Sequence, residues 1–163
     1  MANMFDQAIK IDPNTPLEKP IVIDGKVYST VYEGSEAYRE QEWGKIFNKA
    51  VEEKDNFEIA IEYLNLAIKV YPTKSNTYGY LASIYLEKND FNLAKETAKN
   101  GYEIDPKDTF ILQVLARIEQ KNGNLDKAVE YTKNALSFSD EKGPILKKLI
   151  YIFIDMGKFE TAI

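Results

Sequence analysis

Residues 78–106 read YGYLASIYLEKNDFNLAKETAKNGYEIDP, and this stretch decides the fold. Four of its first eight residues follow the spacing i, i+3, i+4, i+7, which places their side chains on one face of a helix. These residues are Tyr78, Leu81, Ala82 and Tyr85. A polar turn follows, and a second apolar stripe ends at Pro106, since the residue before a proline is disfavoured in the α region. The stretch therefore predicts two helices joined by a short turn.

The same pattern recurs along the chain with a period of 34 residues. Four separate registers keep this step, and their agreement makes a chance match improbable. The registers are Ala60, Ala94, Ala128 and Ala162; Phe57, Phe91, Leu125 and Phe159; Ala67, Gly101 and Ala135; and Leu81, Leu115 and Leu149. Alanine or glycine at two of these registers allows two helix backbones to approach closely. The sequence therefore predicts a repeated pair of closely packed helices.

This pattern resembles the tetratricopeptide repeat family. The resemblance rests on the aromatic or leucine residues at positions 43, 78, 112 and 146, the strict alanine register, and the closing prolines Pro72 and Pro106. It covers the chain from about residue 40 onward. It implies an α-solenoid of antiparallel helix hairpins that wind into a right-handed superhelix with a concave inner face.

The repeat register divides the chain into segments. Residues 1–13 are expected to be a partial repeat helix, and residues 14–34 an insertion. Residues 35–163 are expected to hold the repeats. Their expected bounds are 35–74, 75–108, 109–142 and a truncated repeat at 143–163.

The insertion has a different character from the repeats. Asp24-Gly25 lies between runs of β-branched residues, which is typical of a tight β-hairpin. An extended loop packed across the first helix pair is the alternative. A helix is expected to begin near Ser35 as its N-cap and to run through Trp43 to about Glu53.

The two ends of the sequence complement each other. Lys158–Ile163 matches the first half of a repeat's second helix, and residues 4–12 match the second half. One interpretation is a fragment of a longer repeat array. The other is self-association, in which the N-terminal segment of one copy docks on the open end of another. The residues expected at that end are Phe159, Ala162, Phe5 and Ala8.

The composition argues against catalysis. The chain has no histidine and no cysteine, which excludes disulfides, thiolate nucleophiles and histidine bases. Neither a glycine-rich phosphate loop nor a nucleophile motif is visible, and no catalytic residue, metal site or cofactor is predicted. Lysine and arginine number 21 against 26 acidic residues, so the formal net charge is −5. Such a chain is a poor candidate for binding nucleic acid.

Targeting signals are not visible either. The N-terminus lacks a basic start followed by an apolar run, and no stretch approaches the length of a membrane span. The default expectation is the cytoplasm. A secreted or periplasmic location is equally compatible with the sequence if a signal has been removed.

The resemblance also implies a binding surface. In the family, defined positions of each first helix face the concave groove. Transferred to this chain, they give a polar, amide-rich set. The predicted peptide-binding residues are Asn48, Asn76, Gly79, Ser83, Phe110, Gln113, Arg117, Lys147 and Tyr151, with Gln41 and Gly44 at equivalent positions. A local cationic strip is formed by Arg117, Lys121, Lys147 and Lys148, and it is suited to a carboxylate or an acidic peptide.

Some family members hold a C-terminal Glu-Glu-Val-Asp peptide with a lysine, asparagine and arginine clamp, and that clamp matches poorly here. Gly44 stands where a lysine is required, and Tyr80, Phe110 and Val114 replace further clamp residues. Gly79 with Phe110 nearby suggests room for an apolar or aromatic ligand side chain instead.

Three functions are therefore open at the level of sequence. The favoured one is a non-catalytic scaffold that binds a protein or peptide partner in the concave groove. The second is a structural protein that self-assembles into a homo-oligomer through its solenoid ends. The third is a docking arm of a longer protein whose activity lies elsewhere.

Overall fold

A computed structural model describes Asp6, Gln7, Lys10 and residues 12–157. Within residues 12–157 the chain forms two strands followed by seven helices. The strands are β1 (Pro16–Ile23) and β2 (Lys26–Thr30). The helices are α1 (Val31–Glu52), α2 (Phe57–Val70), α3 (Ser75–Glu87), α4 (Phe91–Ile104), α5 (Thr109–Lys121), α6 (Leu125–Phe138) and α7 (Lys142–Asp155).

The chain divides into two compact units between Pro72 and Thr73. The N-terminal unit contains the β-strands with α1 and α2, and the C-terminal unit contains α3 to α7. In each unit, helices that follow one another through a short turn pack together as hairpins. The predicted all-α fold of helix hairpins is thus confirmed.

The predicted insertion contains a β-hairpin rather than an irregular loop. β1 and β2 pair antiparallel, with Val22 opposite Val27 and Ile23 opposite Lys26. Asp24 and Gly25 form the two-residue turn with φ angles of 49° and 76°, in the left-handed region that Asp-Gly tolerates. Both strands contact α1, and Ile23 is buried. The hairpin is therefore a packed part of the N-terminal unit.

The expected start of the first helix near Ser35 is wrong. The helix begins at Val31, and Ser35 is buried within it. Thr30 caps the helix, because its hydroxyl accepts a bond from the Glu33 N–H at 3.2 Å and the Glu33 carboxylate accepts the N–H groups of Ser29 and Thr30. Those two N–H groups hold the pKa of Glu33 below its usual value. This reciprocal capping box starts the helix earlier, inside the segment assigned to the insertion.

The cap supports a prediction for the N-terminal unit. Thr30→Ala should lower the free energy of unfolding by about 1 kcal/mol, because the Glu33 N–H loses its acceptor. Urea denaturation followed by circular dichroism measures the change. Ser29→Ala is the matched control, since Ser29 contacts Glu33 through its backbone N–H. Equal losses in both variants would contradict the cap.

A polar network joins the two helices of the N-terminal unit. The Tyr71 hydroxyl, just after α2, donates to Glu36 of α1 at 2.6 Å. Arg39 lies 3.2 Å from Glu36 and 2.8 Å from Asp6, and its guanidinium sits over the Tyr71 ring. Burial and the Glu36 carboxylate together raise the pKa of Tyr71, so the phenol stays a hydrogen-bond donor at neutral pH.

The C-terminal unit is built around the alanine and glycine registers. Ala94 and Ala128 are fully buried, as close helix packing requires. Gly101 shows how close that packing is, because a Cβ at this position would lie 2.5 Å from the Ile111 methyl and 3.2 Å from the Ser75 carbonyl oxygen. Ile111 of α5 thereby packs against α4.

One charged residue lies inside this core. Glu119 of α5 is only 2% exposed. Its carboxylate lies 2.6 Å from the Lys95 ammonium of α4 and accepts a bond from the Asn124 amide at 2.6 Å. The repeat register aligns Glu119 with the aromatic Tyr85 and Phe153. An ion pair therefore replaces an aromatic contact at this position.

Glu119 gives the stability of the protein a predicted dependence on pH. Burial raises its pKa, but the bonds from Lys95 and Asn124 outweigh burial, so the pKa of Glu119 lies below its usual value. A carboxyl whose pKa is lower in the folded than in the unfolded state stabilises the fold at pH values above the unfolded pKa. This stabilisation is lost as the pH falls through the folded pKa.

Glu119→Gln should therefore cost about 1–3 kcal/mol near neutral pH, because Lys95 loses its buried counter-charge. The difference between parent and variant should shrink as the pH falls below about 4. Urea denaturation at a series of pH values measures it. A difference that stays constant across the series would show that the ion pair does not contribute in this way.

Candidate functional site

The first helices of successive repeats carry most of the predicted groove residues in the C-terminal unit. These helices are α3, α5 and α7. α3 and α5 are in contact. Lys148 of α7 donates to the Gln113 side chain of α5 at 2.6 Å, and Gln120 of α5 donates to Asp155 of α7. These two bonds hold the facing sides of α5 and α7 together.

A pocket of about 250 Å³ opens between α5 and α7, with one residue of α6 in its wall. We call it the α5–α7 pocket. It is lined by Gln113, Ala116, Arg117, Gln120, Thr132, Lys148, Tyr151 and Ile152. Three of these residues, Gln113, Arg117 and Tyr151, belong to the predicted groove. The pocket has an apolar wall and a polar rim, as peptide side-chain pockets commonly do.

The α5–α7 pocket is cationic. Its lining includes Arg117 and Lys148 and no carboxylate. Partial desolvation and the charge of Arg117 lower the pKa of Lys148. Arg117 lies 3.7 Å from the carboxylate of Glu87 of α3, in a pair that is half exposed. Such a pair stabilises little, so the two cations at the pocket are only weakly compensated.

Lys147 and Lys148 differ in their placement. Lys147, the residue that the groove register selects, lies over the ring of Tyr151 with its ammonium 5.9 Å from the ring centre. Lys148 lines the pocket instead. The sequence analysis placed Lys147 and Lys148 in the cationic strip but only Lys147 in the groove. The repeat register gives a residue's position on its own helix and carries no information on the side chains of the neighbouring helix.

The expected space beside Gly79 is filled. A Cβ at Gly79 would lie 2.7 Å from the Phe110 ring, and the Phe110 and Tyr80 rings lie 4.9 Å apart. The suggestion that a ligand side chain enters there is therefore wrong, since Phe110 itself occupies the space. The Ser83 hydroxyl donates to the Gly79 carbonyl oxygen of its own helix at 2.9 Å. Asn76 is half-buried at the first turn of α3.

Asn48 lies in the N-terminal unit and lines a different cavity. That cavity, about 480 Å³, lies between the β-hairpin and α1, and we call it the hairpin–α1 cleft. Gln41 and Gly44 line it as well, together with Trp43. Six of the positions that the family resemblance selects thus line two separate cavities, three in each unit, whereas Asn76, Gly79, Ser83, Phe110 and Lys147 line neither.

The residues predicted for self-association, Phe5, Ala8, Phe159 and Ala162, lie outside the part of the chain that the structure describes. One described feature bears on the same idea. Leu146 and Ile150 of α7 are 44% and 40% exposed, whereas Leu112 and Ala116, 34 residues earlier, are buried. α7 therefore has an exposed apolar stripe, whereas the equivalent residues of α5 are buried.

Among residues 12–157, no helix has both the length and the apolar character that crossing a bilayer requires.

Comparison with known proteins agrees with this architecture. The family model of the tetratricopeptide repeat matches residues 75–108, which comprise α3, α4 and the turns around them. Among curated proteins, the chain is 30% identical over 104 residues to BBSome complex member BBS4 from Bos taurus, a match that covers 63% of this chain and 20% of that protein. It is 24% identical over 119 residues to the mitochondrial import receptor subunit TOM70 from Homo sapiens, covering 72% of this chain and 19% of that protein. The chain thus spans about a fifth of the length of these relatives.

Solved structures show the same fold. The first tetratricopeptide-repeat domain of Spaghetti (RPAP3), solved with an HSP90 peptide, superposes with a TM-score of 0.67 at 13% identity, over 72% of this chain and 97% of that one. PilF of Pseudomonas aeruginosa gives a TM-score of 0.71 at 16% identity, over 77% of this chain and 58% of that one. The tetratricopeptide-repeat domain of Arabidopsis OM64 gives 0.62 at 15% identity, over 70% of this chain and 96% of that one.

Proposed function

Since this chain carries a tetratricopeptide repeat and adopts the fold of that family's domains, we propose that it is a non-catalytic scaffold for protein–protein interaction. Its partner is an extended peptide or protein segment that lies across α3, α5 and α7. The α5–α7 pocket receives an acidic side chain or a terminal carboxylate of that segment. The mechanism is the presentation of a preformed surface, and no chemical step is involved.

The observation that carries this proposal is the weakly compensated pair of cations at the α5–α7 pocket. Arg117 and Lys148 lie close enough for the first to lower the pKa of the second. A carboxylate between them would relieve that repulsion and form two charge-assisted hydrogen bonds. The apolar wall of Ala116 and Ile152 offers burial to the adjoining aliphatic part of the same side chain.

The comparisons support the class of function. The Spaghetti (RPAP3) domain was solved with a bound peptide, and TOM70 is an import receptor subunit. The identity of this chain's partner is not carried over from either of them.

Peptide selection tests the proposal. A random peptide library displayed on phage and panned against the protein should enrich segments that contain aspartate or glutamate. Fluorescence anisotropy of a synthetic copy should give saturable binding that weakens with added salt, as a contact between partly exposed charges does. A peptide with the same sequence but amides in place of its carboxylates is the matched control. Failure to enrich any peptide would refute the scaffold, whereas enriched peptides without acidic residues would refute the assignment of the pocket.

Self-assembly remains the second candidate function, and the exposed Leu146 and Ile150 of α7 favour it. An apolar stripe of this kind is a typical contact between stacked repeats. Sedimentation equilibrium should then show association that rises with concentration, and Ile150→Asp should abolish it. A monomer at every concentration would remove this candidate and leave the scaffold untouched.

A further inference from the structure

Lys148 presents an amine to the α5–α7 pocket at a point that solvent can reach. It lies on the exposed side of α7, and its Nζ donates to the Gln113 side-chain oxygen of α5 at 2.6 Å. Both residues line the pocket, and their bond holds the nitrogen at its rim. A small electrophile that enters the pocket therefore meets this nitrogen in a fixed position.

The surroundings of Lys148 disfavour its ammonium form. Arg117 is a permanent cation in the same pocket, and none of the described residues in the lining is a carboxylate. The two carboxylates that contact lining residues, Asp155 and Glu87, contact Gln120 and Arg117. Partial burial and the charge of Arg117 together lower the pKa of Lys148. A desolvated lysine next to a second cation is a stronger nucleophile at neutral pH than an ordinary lysine, because more of it is unprotonated.

Other lysines have partners that favour the ammonium form. A carboxylate or the face of an aromatic ring stabilises a positive charge. Such partners are found at Lys45, Lys95 and Lys147, which contact Glu42, Glu119 and the Tyr151 ring respectively. Lys148 is instead bonded to a neutral amide oxygen. Since Lys147 directly precedes Lys148 in α7, the two lysines provide an internal comparison.

We propose that Lys148 is a site of Nε-acylation by an acyl phosphate, and that this modification switches off the binding of acidic segments at the α5–α7 pocket. Arg117 attracts the phosphate group of the donor, and the apolar wall of Ala116 and Ile152 contacts its acyl group. The regulatory effect rests on the proposed function of the pocket, whereas the modification itself does not.

The reaction balances without a further reactant. The neutral Nζ of Lys148 attacks the carbonyl carbon of the acyl phosphate, and a carbon–nitrogen bond forms. The bond between that carbon and the phosphate oxygen breaks, and its electron pair leaves on inorganic phosphate. The nitrogen loses one proton to water. The product is a neutral amide, so the pocket keeps only the charge of Arg117.

Acetylation of the full chain by acetyl phosphate tests the site. Short exposure near neutral pH, followed by proteolytic digestion and mass spectrometry, gives the acetylated fraction of each lysine. Lys148 should react several-fold faster than Lys147 and than Lys26 in the distant β-hairpin. Acetic anhydride, which carries no phosphate group, should also prefer Lys148 but by a smaller factor, since Arg117 does not attract it.

Two variants identify the role of the neighbouring cation. Arg117→Gln should slow the acetylation of Lys148 several-fold and leave that of Lys26 unchanged. Lys121→Gln is the matched control, because it removes a positive charge from the same helix but from a residue outside the pocket lining. This control should leave the rate at Lys148 unchanged. Circular dichroism establishes that both variants are folded.

The regulatory effect is measured with a selected acidic peptide and anisotropy titration. Acetyl-lysine incorporated at position 148 should weaken binding by about tenfold, because one charge-assisted hydrogen bond is lost. Acetyl-lysine at position 147 removes the same charge one residue away and should weaken binding only slightly.

Each part can be overturned separately. Acetylation of Lys148 no faster than that of Lys147 and Lys26, or a rate that Arg117→Gln does not change, would refute the modification site whether or not any peptide binds. Full-strength peptide binding with acetyl-lysine at position 148 would refute the regulation and leave the scaffold in place. Failure to select any peptide would refute the scaffold and the regulation, but not a selective acetylation, which is measured without peptide.

Discussion

Replacing Ile111 with alanine should lower the free energy of unfolding of the C-terminal unit by about 3 kcal/mol. Ile111 is fully buried at the start of α5. Its terminal methyl lies where a Cβ on Gly101 of α4 would come within 2.5 Å, and where one on Gly79 of α3 would come within 3.2 Å. The side chain therefore joins α5 to both helices of the preceding hairpin. The close packing leaves little room for the cavity to collapse.

Chemical denaturation of the full chain, followed by circular dichroism, measures this loss. Leu93→Ala is the matched control, because Leu93 lies in α4 of the same unit but is largely exposed. It should cost well under 1 kcal/mol. A loss below about 1 kcal/mol for Ile111→Ala would show that the two hairpins are not packed through this residue.

Reversing the two charges of the α5–α7 pocket should have the largest effect on binding. Arg117→Glu combined with Lys148→Glu is expected to weaken binding of a selected acidic peptide by about 100-fold or more, since two charge-assisted contacts become repulsive. Anisotropy titration at fixed ionic strength measures the change, with circular dichroism to establish that the variant is folded.

The chain offers a matched control for this variant. Lys121→Glu with Lys147→Glu changes the net charge by the same amount on the same two helices, but neither residue lines the pocket. This pair should weaken binding only a few-fold, through long-range attraction. If both double variants weaken binding equally, the peptide responds to overall charge and the pocket is not its site.

Much of the helical fold could be predicted because its determinants recur in sequence. Close packing of two helices requires a small residue at one fixed register, and Ala94 and Ala128 are both fully buried there. The start of the first helix could not be placed from Ser35 alone. Thr30 and Ser35 can both cap a helix, and the helix begins after Thr30 because Thr30 and Glu33 form reciprocal hydrogen bonds.

The candidate sites were less predictable, because they depend on side chains that meet across different elements. The register grouped Gln113, Arg117 and Tyr151, and the structure shows that these three side chains line one pocket. It did not foresee that Phe110 fills the space beside Gly79, since that contact depends on the direction of a side chain 31 residues away.

The hairpin–α1 cleft shows the same limit. Asp24-Gly25 predicted a tight turn, and the turn is present. Which face of α1 the hairpin packs on is not encoded in a local pattern. The cleft that results could therefore be recognised only from the structure.

The central claim is that the helices α3, α5 and α7 form a peptide-binding surface with its charge-selective point at the α5–α7 pocket. The most direct test is NMR chemical-shift mapping of the full chain during titration with a selected acidic peptide. The account predicts that the largest changes fall on Gln113, Arg117 and Tyr151, and that the side-chain signal of Lys148 shifts with them. Saturable binding whose shift changes fall on α4 and α6, with the pocket residues unchanged, would contradict it.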